Sequence, residues 1–113
     1  MKRLYLNFWL EIKTNTEVEL LIENIKLFSR IQYLSLFPQF ASQDVAEYFF
    51  LNFHKIQHVI NLYFGIDYWK LKKALPVYNA FKAFYLKAHH LENLGFGLTS
   101  PTKTSFFEKY AYN

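Results

Sequence analysis

Lys70, Lys72, Lys73, Lys82 and Lys87 fall between Tyr68 and Leu91 with no Asp or Glu among them. Five ammonium groups without a carboxylate make this stretch strongly basic, although the formal net charge of the whole chain is only +4. Charge confined in this way makes a face, and a basic face fits an acidic partner. Tyr68, Trp69, Tyr78 and Tyr85 are interleaved with these lysines. Lysines neutralise phosphates while rings stack on bases, and the same mixture suits an acidic or nucleic-acid-binding protein surface. The plainer alternative is a solvated helix face that keeps the chain in solution.

A second set lies upstream. Val45, Ala46, Phe49, Leu51, Ile56 and Val59 carry small or apolar side chains at spacings that resemble the loose helix-turn-helix pattern of many phage and bacterial regulators. The resemblance covers residues 43–61 and places Asn52 in the turn. It implies a second helix presenting His54, Lys55, Gln57, His58 and Asn61, of which Lys, Gln and Asn can read base edges. Phe50 departs from it, because the motif usually has glycine in a left-handed turn there. The same residues also read as one straight helix over 42–64: Val45, Phe49, Phe53, Ile56, Ile60 and Tyr63 follow a continuous helical face.

No catalytic constellation emerges. His54 and His58 are four apart, a spacing that can hold zinc, and His89, His90 and Glu92 lie further on. Lys55 follows His54 where a zinc protease needs glutamate, and exposed histidines on a polar helix side explain the pattern as well. There is no glycine-rich phosphate loop, no carboxylate pair among apolar residues and no cysteine. We therefore expect no metal, no cofactor and no enzyme activity.

The chain of 113 residues suits one domain, 1–113, with a core that needs no disulfide. Its 13 Phe, 9 Tyr and 2 Trp are more rings than so small a core can hide. Eleven Lys against two Arg point to an AT-rich genome, which by itself enriches Phe, Tyr, Asn, Lys and Ile. Surplus rings mark a contact surface, and Tyr5 and Trp9 on the outer side of the first strand are candidates to seal a homodimer. No run of about 18 apolar residues is present to span a membrane, so a cytoplasmic location is expected. No internal repeat or low-complexity segment is visible.

The elements that position these residues follow from local pattern. Residues 3–13 alternate apolar and polar, the signature of a half-buried strand. Asn15-Thr16 opens a helix, with Thr16 to Glu19 at capping-box spacing and an end near Ser29 or Arg30. Ile31–Phe37 reads as a second strand that stops at Pro38, with an extension of the first helix as the alternative. Ser42 and Asp67 cap later helices, and Gly65 sits where the 42–64 helix ends. Pro76 either kinks the helix after Asp67 or begins a new one through Leu94, with Val77, Phe81, Phe84, Ala88 and Leu91 as its apolar stripe. The tail from Gly95 combines a turn at Ser100–Lys103 with a short helix from Ser105, although Phe106, Glu108, Tyr110 and Tyr112 would also alternate on a strand. The expected fold is α+β and helix-dominated: one or two N-terminal strands packed on three to four helices.

Two functions fit. One is a small inhibitor or adaptor of the phage or mobile-element type, acting by protein contact through the basic aromatic surface; anti-CRISPR proteins offer an analogy of size and composition. The other is a small nucleic-acid-binding regulator in which the lysines hold the backbone and His54, Lys55, Gln57 and His58 read bases.

Overall fold

The period-two run at the N-terminus is a strand. In a computed structural model, which describes residues 4–97, β1 spans Leu4–Ile12. Phe8, Leu10 and Ile12 pack on the core, while Trp9 and Glu11 are exposed. Helix α1 (Asn15–Leu27), β2 (Ile31–Phe40) and α2 (Gln43–Asn52) follow, then a single 3-10 turn at Phe53–Lys55. The chain continues with β3 (Asn61–Phe64), α3 (Tyr68–Lys73), α4 (Leu75–Lys87) and β4 (Asn93–Phe96). The content is α+β and helix-dominated, as expected, but strands and helices alternate along the whole described chain.

All the strands run parallel, in the spatial order β1-β2-β3-β4. Parallel neighbours joined by right-handed crossovers in sequential order place every helix on the same side of the sheet. One core accordingly joins Val18, Ile22 and Ile25 of α1 to Phe49 and Phe50 of α2, Leu71 of α3 and Phe81 and Phe84 of α4. The sheet contributes Leu34, Leu36, Leu62, Phe64, Leu94 and Phe96 to that core.

A repeat therefore exists, contrary to expectation. Register aligns Leu6, Leu34, Leu62 and Leu94 in one row, at intervals of 28, 28 and 32 residues, and Phe8, Leu36, Phe64 and Phe96 in the next. Ile31, Val59 and Leu91 precede the last three leucines of the first row by three residues. Apolar-x-x-Leu-x-apolar is a spacing of strand-plus-helix solenoid units, each of which buries its apolar face only against its neighbours.

Several boundaries correct the sequence reading. The α1 cap is Thr14, not Thr16: Glu17 N–H donates to Thr14 Oγ1 at 3.2 Å, and Lys13 N–H donates to the Glu17 carboxylate at 3.0 Å. Thr14 and Glu17 stand at capping-box spacing displaced by two residues, with the carboxylate's return bond one residue before the cap, at Lys13 N–H. Strand β2 does not stop at Pro38 but runs through it. Leu36 carbonyl accepts from Gly65 N–H, so residues of its parity bond toward β3. Strand β3 pairs β2 only as far as Leu36, so the missing Pro38 N–H faces no ladder partner there. Ser42 and Asp67 cap as expected, through Val45 N–H and Trp69 N–H. Pro76 begins a new helix in its first turn, but α4 ends at Lys87 rather than Leu94, and Asn93–Phe96 is a strand.

The central 42–64 helix is also not present. Helix α2 ends at Asn52, whose Nδ2 donates to the Tyr48 carbonyl at 2.8 Å. The chain then tightens into the 3-10 turn and extends into β3, so Gly65 follows a strand. Residues 43–61 are not a helix-turn-helix either: no second helix follows. Phe50 lies inside α2, wholly buried against Phe49, Phe64, Phe81 and Phe84. The turn and short helix expected at residues 100–108 lie outside the described residues.

Candidate functional site

Helix α3 is short, and its single buried residue, Leu71, anchors it. Lys70 and Lys72 therefore flank the buried side and Lys73 lies opposite. Lys72 Nζ sits 5.2 Å from the Trp69 ring centre and 5.7 Å from that of Tyr68. Tyr68 meets Tyr78 of α4 edge-on at 6.4 Å, and Lys82 Nζ lies 4.9 Å from the Tyr78 ring centre. These distances are within cation–π range. Tyr68, Trp69, Lys72, Tyr78 and Lys82 thus form one continuous basic aromatic surface across α3 and α4. Burial first, then the Tyr78 hydroxyl, pushes the Tyr68 hydroxyl up to about 12, so it stays a neutral donor. Trp69 and Tyr85 are each more than half exposed, as are Leu75 and Leu86. Among the described residues, the one ion pair is Lys26–Glu23 on α1, and no carboxylate holds any of the five lysines.

Lys87 stands apart from this surface. Val77, Ala80, Phe81 and Phe84 face the core, and helical spacing puts Lys82 nearly opposite that stripe on the Tyr78 side and Lys87 on its other flank. Lys87 lies near His54: burial first, then the Lys87 and Lys55 charges, hold the His54 imidazolium below its ordinary range. His54 and Lys55 belong to the 3-10 turn, whereas Gln57 and His58 lie in the extended link to β3. The base-reading set expected on one helix is therefore spread over a turn and a loop.

His90 is likewise lowered, by burial first and then by His58 and His89, with the Ile56 backbone pulling the other way. Two lowered histidines set a pH dependence. Between the ordinary value of 6.5 and the lowered native values, the unfolded chain binds more protons than the folded one. This contribution to stability is complete above about pH 6.5 and falls as the pH drops through that window. Urea unfolding at about pH 8 and about pH 5.5 checks it: the midpoint is lower at the acid pH. A midpoint that holds or rises excludes it.

The face of the sheet opposite the helices joins Trp9, which the sequence places on the outer side of the first strand, to Phe37 and Tyr63, which the sequence reading did not place there. Phe37 and Tyr63 are buried yet lie outside the main core. Trp9, 73% exposed, stacks on Phe37 with ring centres 4.1 Å apart. Phe37 lies across Gly65 and Tyr63 across Gly97; a Cβ at either glycine overlaps the ring. Their strand parity, opposite to that of Leu36 and Leu62, was the available signal. Gly65→Ala drives Phe37 off its place under Trp9, and we expect a loss of about 1–3 kcal/mol. Urea unfolding with tryptophan fluorescence reads both the lost stability and the changed Trp9 environment.

Among the described residues, no group of three or more His, Asp or Glu is placed to hold a metal ion, and no helix is long and apolar enough to cross a membrane. The fold and its surfaces define a small parallel β–α solenoid with a basic aromatic patch on its last two helices. No family model, curated protein or solved structure matches the chain.

Proposed function

We propose that this chain is a non-enzymatic binding module that engages an acidic protein surface through α3 and α4. The observation that carries this reading is the continuous set Lys72, Trp69, Tyr68, Tyr78 and Lys82, with ammonium groups over rings and no carboxylate among them. Exposed Leu75, Tyr85 and Leu86 supply apolar area that a protein partner covers and a phosphate backbone does not. Lys70 and Lys73 extend the positive potential and steer association. An inhibitor or adaptor role fits such a module.

Nucleic acid is the second reading, and the lysines alone favour it. It lacks a helix that presents His54, Lys55, Gln57 and His58 to base edges. Affinity capture with the immobilised chain, with and without nuclease, separates the two. A specific protein retained after nuclease, and lost when Lys72 and Lys82 are changed to Gln, supports protein contact. Retention only while nucleic acid is intact, with strong salt dependence, supports the second reading.

A further inference from the structure

Among the described residues, β1 pairs only with β2, over the whole of Leu4–Ile12. Ile12 carbonyl accepts from Ala41 N–H at 2.9 Å, so residues of its parity bond toward β2. Successive residues of a strand turn their N–H and C=O to opposite sides. Tyr5, Asn7, Trp9 and Glu11 therefore turn theirs to the outer edge of the sheet. Such an edge is a template for another strand, and proteins blunt it with Lys, Pro, a bulge or short length. β1 is nine residues long and contains neither Lys nor Pro, and its one register shift lies at its very start, between Leu4 and Tyr5. At the other end of the sheet, β4 has only four residues. The core beside β1 is also incompletely covered. Phe8 and Leu10 pack toward the helices yet are only half-buried. On α1, Glu19 turns to α2, where it accepts from the Tyr48 hydroxyl. Leu21, on the flank of α1 away from Glu19, is again only half-buried. The outer side of a terminal solenoid unit needs polar cover to stay in solution, and this one carries an open strand edge above apolar side chains.

We propose that a second copy of this chain docks on β1 about a two-fold axis, so that the two β1 strands pair antiparallel and the two sheets join edge to edge. Self-complementarity selects a second copy as the occupant. Centred on Phe8, the strand meets itself along its full length: Leu4 falls opposite Ile12, Tyr5 opposite Glu11, and Asn7 opposite Trp9. In that register every outward residue falls opposite an outward residue, so their N–H and C=O groups satisfy one another. Phe8 falls opposite Phe8 of the second copy in a non-hydrogen-bonded pair, where side chains approach closest, and on the core side of the joined sheet. Glu11 is the one charged residue of β1, and it falls opposite a tyrosine rather than a like charge. The contact is isologous and closes at two copies. It uses none of the lysines of α3 and α4 and lies at the other end of the strand order, so it stands or fails apart from the function proposed above.

Amide hydrogen exchange read by NMR, at low and high protein concentration, tests the seam in the native chain. The amides of Leu6, Phe8, Leu10 and Ile12 should be protected at both concentrations, and those of Tyr5, Asn7, Trp9 and Glu11 only at the high one. Sedimentation velocity over the same range should show monomer and dimer and nothing larger. Trp9→Lys sets two ammonium groups at diagonal positions across the seam and should weaken the dimer at least about tenfold. Leu51→Lys, at a position on α2 that is 46% exposed, should leave it unchanged. Where Trp9→Lys fails to fold, the exchange pattern of the native chain decides. A monomer at every concentration overturns the proposal and leaves the edge to an extended segment of another protein. A dimer whose four outward amides still exchange fast, or one as tight in Trp9→Lys as in the wild type, overturns it too. So do species that grow beyond a dimer, the result expected if β1 paired head-to-tail with β4.

Discussion

Phe50→Ala should lower the unfolding free energy by about 3–5 kcal/mol, the range for deleting a fully buried aromatic ring. Phe50 touches rings from every side: Phe49 on its own helix, Phe40 and Phe64 from the sheet, and Phe81 and Phe84 from α4. Removing it opens a cavity where α2, α4 and β3 meet, and neighbours this crowded by other rings relax only partly. Phe28→Ala is the control. Phe28 follows α1 and is 54% exposed, so its loss should stay within about 0.5 kcal/mol. Urea unfolding with an unchanged slope reads both values. If the two variants behaved alike, the placement of residue 50 in the core would be wrong.

The second large effect concerns binding. Trp69→Ala should weaken the captured complex by about 2 kcal/mol or more, on the order of thirtyfold, with the fold intact. Trp69 is 55% exposed beside the Lys72 ammonium, so truncation removes contact area and the ring that holds the cation in place. Lys72→Gln and Lys82→Gln should act mainly on the association rate and its salt dependence. Trp9→Ala, on the other face of the sheet, should leave the complex unchanged. Titration calorimetry with the captured partner checks each variant; a Trp69→Ala complex as tight as the wild type refutes the surface.

Much of the architecture was legible in local chemistry. Alternation over residues 3–13 gave β1, and Ser42, Asp67 and Pro76 marked helix starts because capping and proline act through adjacent backbone groups. Of the expected stripe, Val77, Phe81, Phe84 and Ala88 are buried, whereas Leu91 lies past the end of α4 in the link to β4 and is only half-buried. What misled was a coincidence of spacing. Val45, Phe49 and Phe53 do share a buried face, but Ile56 is buried in a link and Tyr63 on the opposite side of the sheet. No Gly or Pro interrupts Asn52 to Phe64 to mark the change of element. Strands β3 and β4 also have only four residues each, too few for alternation to show. The repeat stayed hidden because its units share a few apolar positions, not a recognisable word. For the basic aromatic surface, the residue types were legible. The separation of Lys87 from Lys82 required knowing which flank of α4 meets its neighbour.

The sequential strand order carries an evolutionary consequence. Each helix–strand module leans only on those before and after it, so the architecture has no closure to violate. Duplicating or deleting a whole module of about 30 residues between β1 and β4 would change the length of the sheet and leave both ends chemically as they are. Reach and surface chemistry can therefore diverge independently in such a protein, one by copy number and the other by point substitution on α3 and α4.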